Sequence, residues 1–236
     1  MPQVTYQNQT YTFSASFNVT FSQEGDAHGN DNIFSSTSYP AAYQVLHHVD
    51  AQLLDTALAV LINGQIMSLE TKIKADCCLE AVTAQSAAGQ EILRRTLALL
   101  AAHAAFELAP EAALAACATL PAEVRLAFAD AAETLTLTAL QNQMAQLIAN
   151  DKPIAVSDAW QKALLLETYP TLQTPYAQEI LQPYDDFEDV PVAVHEQYAL
   201  PCREGEIYAL FPHTCRNFSL TAQRLDGLWQ VRIELQ

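Results

Sequence analysis

The chain has 236 residues, half of them hydrophobic, with 11 Lys and Arg against 27 Asp and Glu and a formal net charge of −16. That hydrophobic content excludes general disorder, and the charged fraction of 16% leaves the acid excess undiluted by paired bases. A field of one sign repels nucleic acid and anionic membrane, so the bulk charge argues for a basic partner and against direct nucleic-acid binding.

The N-terminal segment reads as β. Tyr11, Phe13, Ala15, Phe17, Val19 and Phe21 occupy alternate positions, with polar residues between them. Residues 4–6 are expected to pair with this run through a turn at Asn8-Gln9. A polar loop, 22–38, follows. Its stretch 24–32 offers oxygen ligands and two glycines but does not follow the order of a calcium-binding EF-hand.

The middle reads as helical. Tyr43, Leu46, Val49, Leu53, Ala57 and Val60 recur at spacings of three and four, and Asn63-Gly64 would end that helix. Residues 65–74 alternate like a strand, yet a helix is expected there because helix is expected to resume after Asp76. The Ala/Leu composition of 77–150 predicts several antiparallel helices, weakened at Gly89 and restarted at Pro110 and Pro121, with 121–150 as one long helix. Short helices are expected over 158–168 and 175–181.

The tail returns to β, with strands expected over 192–200 and 206–211. A final hairpin pairs Phe218, Leu220 and Ala222 with Trp229, Val231, Ile233 and Leu235 across an Asp226-Gly227 turn. The fold class is α+β, with an antiparallel sheet from both chain ends packed on a helical, Ala/Leu-rich centre. The organisation read from this is a single domain over 1–236: a β hairpin and polar loop (1–38), a helical region (39–182), and an acidic loop with a β meander (183–236).

Candidate sites follow from residue chemistry. The proline-bounded acidic loop Tyr184, Asp185, Asp186, Phe187, Glu188 and Asp189 combines an aromatic anchor with steering charge, as a docking element for a basic protein would; the competing reading is a solvated loop. Three weaker constellations exist. His47 and His48 precede Asp50 on the first helix and supply part of a metal set. Cys202, His213 and Cys215, with His195 upstream, hold zinc-type ligands without a C-x-x-C knuckle, and a cysteine nucleophile beside His195 or His213 uses the same residues. His103 and Glu107 stand four apart, in reach of each other on a helix.

No G-x-G-x-x-G, P-loop, G-x-S-x-G or H-E-x-x-H motif occurs. Five cysteines without regular spacing, no signal-like N-terminus and no long uninterrupted apolar span predict a cytoplasmic protein with no membrane segment, no metal and no cofactor. The expected function is a non-enzymatic, acidic interaction module that binds and inhibits a basic partner, of immunity, decoy or adaptor type. A metal- or cysteine-dependent hydrolase and a structural assembly component, viral in type, are the alternatives.

Overall fold

The computed structural model describes residues 39–129 and 135–236 in full and, before them, the backbone strands at 3–6, 9–12, 17–18 and 35–36. Strand β1 (Gln3–Tyr6) pairs antiparallel with β2 (Gln9–Thr12), with Gln3 opposite Thr12. A hairpin is therefore present at this end, but Gln9 belongs to its second strand rather than to the turn, and of the run expected over 11–21 the described strand residues are 11–12 and 17–18. Strands β3 (Phe17–Asn18) and β4 (Ser35–Ser36) form a separate small pair. The loop 24–32 lies outside the described residues.

Helix α1 (Ala42–Val49) is shorter than its apolar pattern suggested. Asp50 stops it, capping a 3-10 turn over Ala51–Asp55 by accepting from the Gln52 amide at 2.9 Å. Residues 57–62, expected as helix, form strand β5 (Ala57–Ile62), which turns through Asn63 (φ 50°) and Gly64 (φ 83°) into β6 (Gln65–Met67). Asn-Gly between apolar runs is a hairpin signal as well as a helix stop, and both central residues here take the positive φ that a tight hairpin turn requires. Strand β7 (Cys77–Thr83) replaces another expected helix. The five strands run in the order β2-β1-β7-β5-β6, with β1 parallel to β7. Ala42, Val45 and Leu46 of α1 share a core cluster with Val60 of β5 and Leu79 of β7.

Helix α2 (Ala87–Leu108) is the central element, most of its 22 residues buried. It is followed by β8 (Ala113–Thr119) and β9 (Glu123–Ala129), where one or more helices were expected. In β9, Val124, Leu126 and Phe128 face the core and alternate with more exposed Arg125 and Ala127. This period of two overrides the helix propensity of the neighbouring alanines, because β9 gains a partner on each side, β14 and β8. Helix α3 (Leu137–Asn150), capped by Thr136, is the part of the expected long helix that is present.

Strand β10 (Ile154–Gln161) precedes α4 (Lys162–Thr168), so the expected helix over 158–168 begins at 162. Helix α5 (Pro175–Leu181) has the expected bounds. The sheet β10-β11-β12 is completed by β11 (Asp189–His195) and β12 (Tyr198–Pro201); residues 206–211 form no strand. The terminal hairpin β13 (Phe218–Leu225) and β14 (Leu228–Leu235) turns at Asp226-Gly227 as expected. It belongs to the sheet β13-β14-β9-β8.

The α+β class thus holds, and the described strand pairs are antiparallel except for β1 with β7. The strands of the two chain ends lie in different sheets, each paired with strands of the central region, and 39–182 is a mixture of strand and helix. Among the described residues no helix is long and apolar enough to cross a membrane.

Two contacts fix α2. Its cap residue Ser86 accepts from the Gly89 amide at 3.0 Å and donates to the Thr83 carbonyl at the end of β7. A Cβ on Gly89 would stand 1.9 Å from that carbonyl oxygen. The glycine that weakens the helix by propensity is the residue that lets strand and helix meet. Further along, buried Thr96 donates to the Ile92 carbonyl at 2.8 Å and accepts from the Ala209 amide at 2.9 Å, which moors the segment after β12.

Gly89→Ala is expected to lower unfolding free energy by about 1–3 kcal/mol, the usual cost of overpacking, and urea melts check it; an unchanged midpoint would remove the close-approach argument. Thr96→Val keeps the shape but strands the Ala209 N–H, so a loss of roughly 1–3 kcal/mol is expected in the same assay. Thr96→Ser should retain most of that stability.

Candidate functional site

Helix α2 is buried over most of its length, so a polar side chain in its buried part must find a partner inside the protein. His103, in its second half, does so with His195, the last residue of β11. Both are fully buried, and their Nδ1 atoms lie 2.9 Å apart. The Tyr198 ring stacks on His103 at 5.4 Å between centroids, closing that side. Glu107, one turn along α2, brings its carboxylate to 3.7 Å from His103 Nε2. Glu196 follows His195 with φ 54°, a left-handed conformation uncommon outside glycine, in the two-residue turn before Tyr198.

Burial lowers the His103 pKa to about 4, helped by the neighbouring His195. Burial also lowers that of His195, against the opposing pull of Glu196, the Lys152 backbone and Glu107. Both rings are neutral at pH 7, and each keeps an Nε2 with no hydrogen-bond partner. Among the described residues, His103, His195 and Glu196 form the group of three whose ligand atoms lie close enough together to hold a metal ion, within 4.8 Å of one another.

A second polar cluster lies where Arg95 of α2 meets the segment after β12. Arg95 Nε is 3.5 Å from Glu206 Oε1, and Arg95 also pairs with Glu91. Burial pushes the Cys202 and Cys117 thiols up to about 12, with Glu206 adding to the effect. Tyr176 and Tyr208, beside them, are raised by burial first, then by Cys117 and Cys202 respectively, with Glu206 adding to both. These groups are all protonated at neutral pH, so neither thiol supplies a nucleophilic thiolate.

A cavity lies on the outer face of the sheet β13-β14-β9-β8. It measures about 480 Å³, with Ala116, Ala118 and Ala127 as floor and Arg125, Gln230 and Arg232 among its walls. Glu123 ties both arginines: Arg232 Nε lies 2.9 Å from one of its oxygens, and Arg125 pairs with the other. Each arginine side chain is about half exposed and carries further N–H donors, and Arg232 Nη1 also lies 3.9 Å from Glu234 Oε1.

The residues singled out from sequence are distributed as follows. His47 and His48 are exposed at the end of α1, and Asp50 spends its carboxylate on the Gln52 amide. Cys202, His213 and Cys215 do not gather into a ligand group. His213 is held by Asp151, which accepts from its amide and contacts its Nδ1, both at 2.8 Å. Cys215 is buried with its thiol pushed up to about 12. In the acidic loop, the Asp186 and Glu188 carbonyls accept from the first amides of α4, and Lys162 Nζ donates to the Tyr184 carbonyl. The Asp185 amide donates to Glu188 Oε2, Asp189 opens β11, and Phe187 is 83% exposed.

Sequence reasoning paired His103 with Glu107 and grouped His195 with Cys202, His213 and Cys215, but did not join the two histidines, since nothing local links positions 92 apart. It also missed the cavity, whose trace in the sequence is the polar set opposite Trp229, Val231 and Ile233.

No family model matches the chain. It is similar to curated threonine--tRNA ligases. One from Anaplasma marginale is 26% identical over 155 residues, covering 64% of this chain and 24% of the relative. One from Syntrophomonas wolfei is 27% identical over 169 residues, 69% of this chain and 26% of the relative. One from Desulforapulum autotrophicum is 25% identical over 216 residues, 88% of this chain and 32% of the relative. The chain thus spans about a quarter to a third of their length.

These relatives overturn the expected non-enzymatic binder and inhibitor of a basic partner, and with it the exclusion of nucleic acid as a partner. The physical error was to let net charge stand for local charge. A sum over the chain does not forbid a small face on which arginines gather.

Proposed function

We propose that the chain is a tRNA-handling module of the kind found in threonine--tRNA ligases, and that an RNA strand lies against the outer face of the sheet β13-β14-β9-β8. The kinship supports the class of ligand. The observation that carries the placement is the 480 Å³ cavity with Arg125 and Arg232 beside an alanine floor. Small side chains let a backbone approach the sheet, the guanidiniums meet phosphate oxygens, and Gln223 and Gln230 offer hydrogen bonds to base edges or ribose. The surrounding acid excess confines the contact to a few nucleotides. Ligase chemistry is not part of this reading, because the chain spans only a fraction of those enzymes. A cytoplasmic setting is part of it, supported by five free cysteines.

Fluorescence anisotropy with labelled tRNA, across a salt series, tests this. Binding at low salt is expected, with the log–log salt slope reduced by about 1 in Arg125→Ala and again in Arg232→Ala. Absence of binding at low salt, or variants that bind as the parent does, would end the proposal.

A further inference from the structure

We propose that His103, His195 and Glu196 form a site for a divalent transition-metal ion of the zinc class, with the two Nδ1 atoms and the Glu196 carboxylate as protein ligands. This inference does not rest on the tRNA reading.

The argument is one of proton accounting. Two neutral imidazoles share two ring protons among four nitrogens, and the 2.9 Å contact between Nδ1 atoms needs one of them. If His103 donates, its Nε2 lone pair faces the Glu107 carboxylate at 3.7 Å, a repulsive arrangement. If His195 donates, its own Nε2 is left bare in the interior, where it has no partner. Neither tautomer satisfies the pair. A cation on both Nδ1 atoms removes the conflict. Each Nε2 then carries its proton: that of His103 faces Glu107, and the Lys152 backbone beside His195 favours a ring proton there. A ligating histidine whose outer N–H meets a carboxylate or backbone group is the usual support of a metal site.

The remaining geometry agrees. Tetrahedral coordination at the usual Zn–N distance sets ligand nitrogens about 3.3 Å apart, so the rings need to separate by only a few tenths of an ångström. Glu196 reaches the pair through its left-handed turn and is itself exposed, which leaves the fourth position to water. Both rings are already neutral, so binding displaces no proton from them.

Untagged full-length protein, stripped with chelator, is titrated with Co²⁺ and followed by its visible d–d bands, then with Zn²⁺ in competition with a chromophoric chelator. One equivalent of each is expected. Glu196→Gln, an exposed substitution that leaves the core intact, should weaken binding roughly 10-fold or more, while His47→Gln combined with His48→Gln should leave it unchanged. His103→Gln should abolish it, and circular dichroism shows whether that variant folds. The proposal is overturned if the parent shows no Co²⁺ bands. It is equally overturned if Glu196→Gln binds as the parent does, or if the His47 and His48 substitutions remove the signal.

Discussion

Helix α2 is buried over most of its length, and this governs the rest of the molecule. A 22-residue helix of this kind is not stable in water with any side uncovered. Ala98, Ala101, Ala102, Ala104 and Ala105 are buried among residues from β9, β14 and α3. Such small residues let neighbouring backbones come close, so the helix is enclosed rather than merely packed on one sheet. The enclosure in turn decides where polar contacts form. Thr96 and His103 are fully buried, and their partners, Ala209 and His195, come from segments about a hundred residues later. Each contact holds a C-terminal segment to the helix at a defined point. The polar interior is thus a consequence of helix burial rather than a feature added to it.

What could be read in the sequence follows the range of the signals. The hairpin over 218–235 was legible because its turn residues and alternating pattern are adjacent. Helix α5 was legible because Thr174, Pro175 and its last apolar residue lie within one short window. The strands β8 and β9 were not. Their alanines favour helix when read alone, and the decision is made by pairing, β9 with β14 on one side and β8 on the other. Strand β7 likewise lies between β1 and β5, both distant in sequence. The alternation over 65–67 was visible, but it was subordinated to the helix expected next to it.

The site divides along the same line. His103 with Glu107 is an i, i+4 pair and could be seen. His195 with Glu196 is a strand end and its turn, and only the assembled sheet brings it under α2. The Cys202, His213 and Cys215 set was one of the weaker candidates, raised because cysteine and histidine are chemically versatile. In the fold they are kept apart by ordinary structural duties: burial for the thiols, a bidentate link to Asp151 for the histidine.

The cavity on the outer sheet face shows how an acidic chain can still present a site for a polyanion. At physiological salt, exposed charges more than roughly 8 Å apart are largely screened from one another. Carboxylates on the far side of the molecule therefore contribute little at Arg125 and Arg232, whereas Glu123, in contact with both, contributes most. Two guanidiniums stand against Glu123 and, at 3.9 Å from Arg232, Glu234, so the charge at the cavity is locally balanced inside a net charge of −16. Glu123 bridges the two arginines across neighbouring strands and so orders side chains that would otherwise lose entropy on meeting a ligand. Removing Glu123 would raise the local charge but release that ordering. The two effects oppose each other, so the bridge can serve recognition as well as stability.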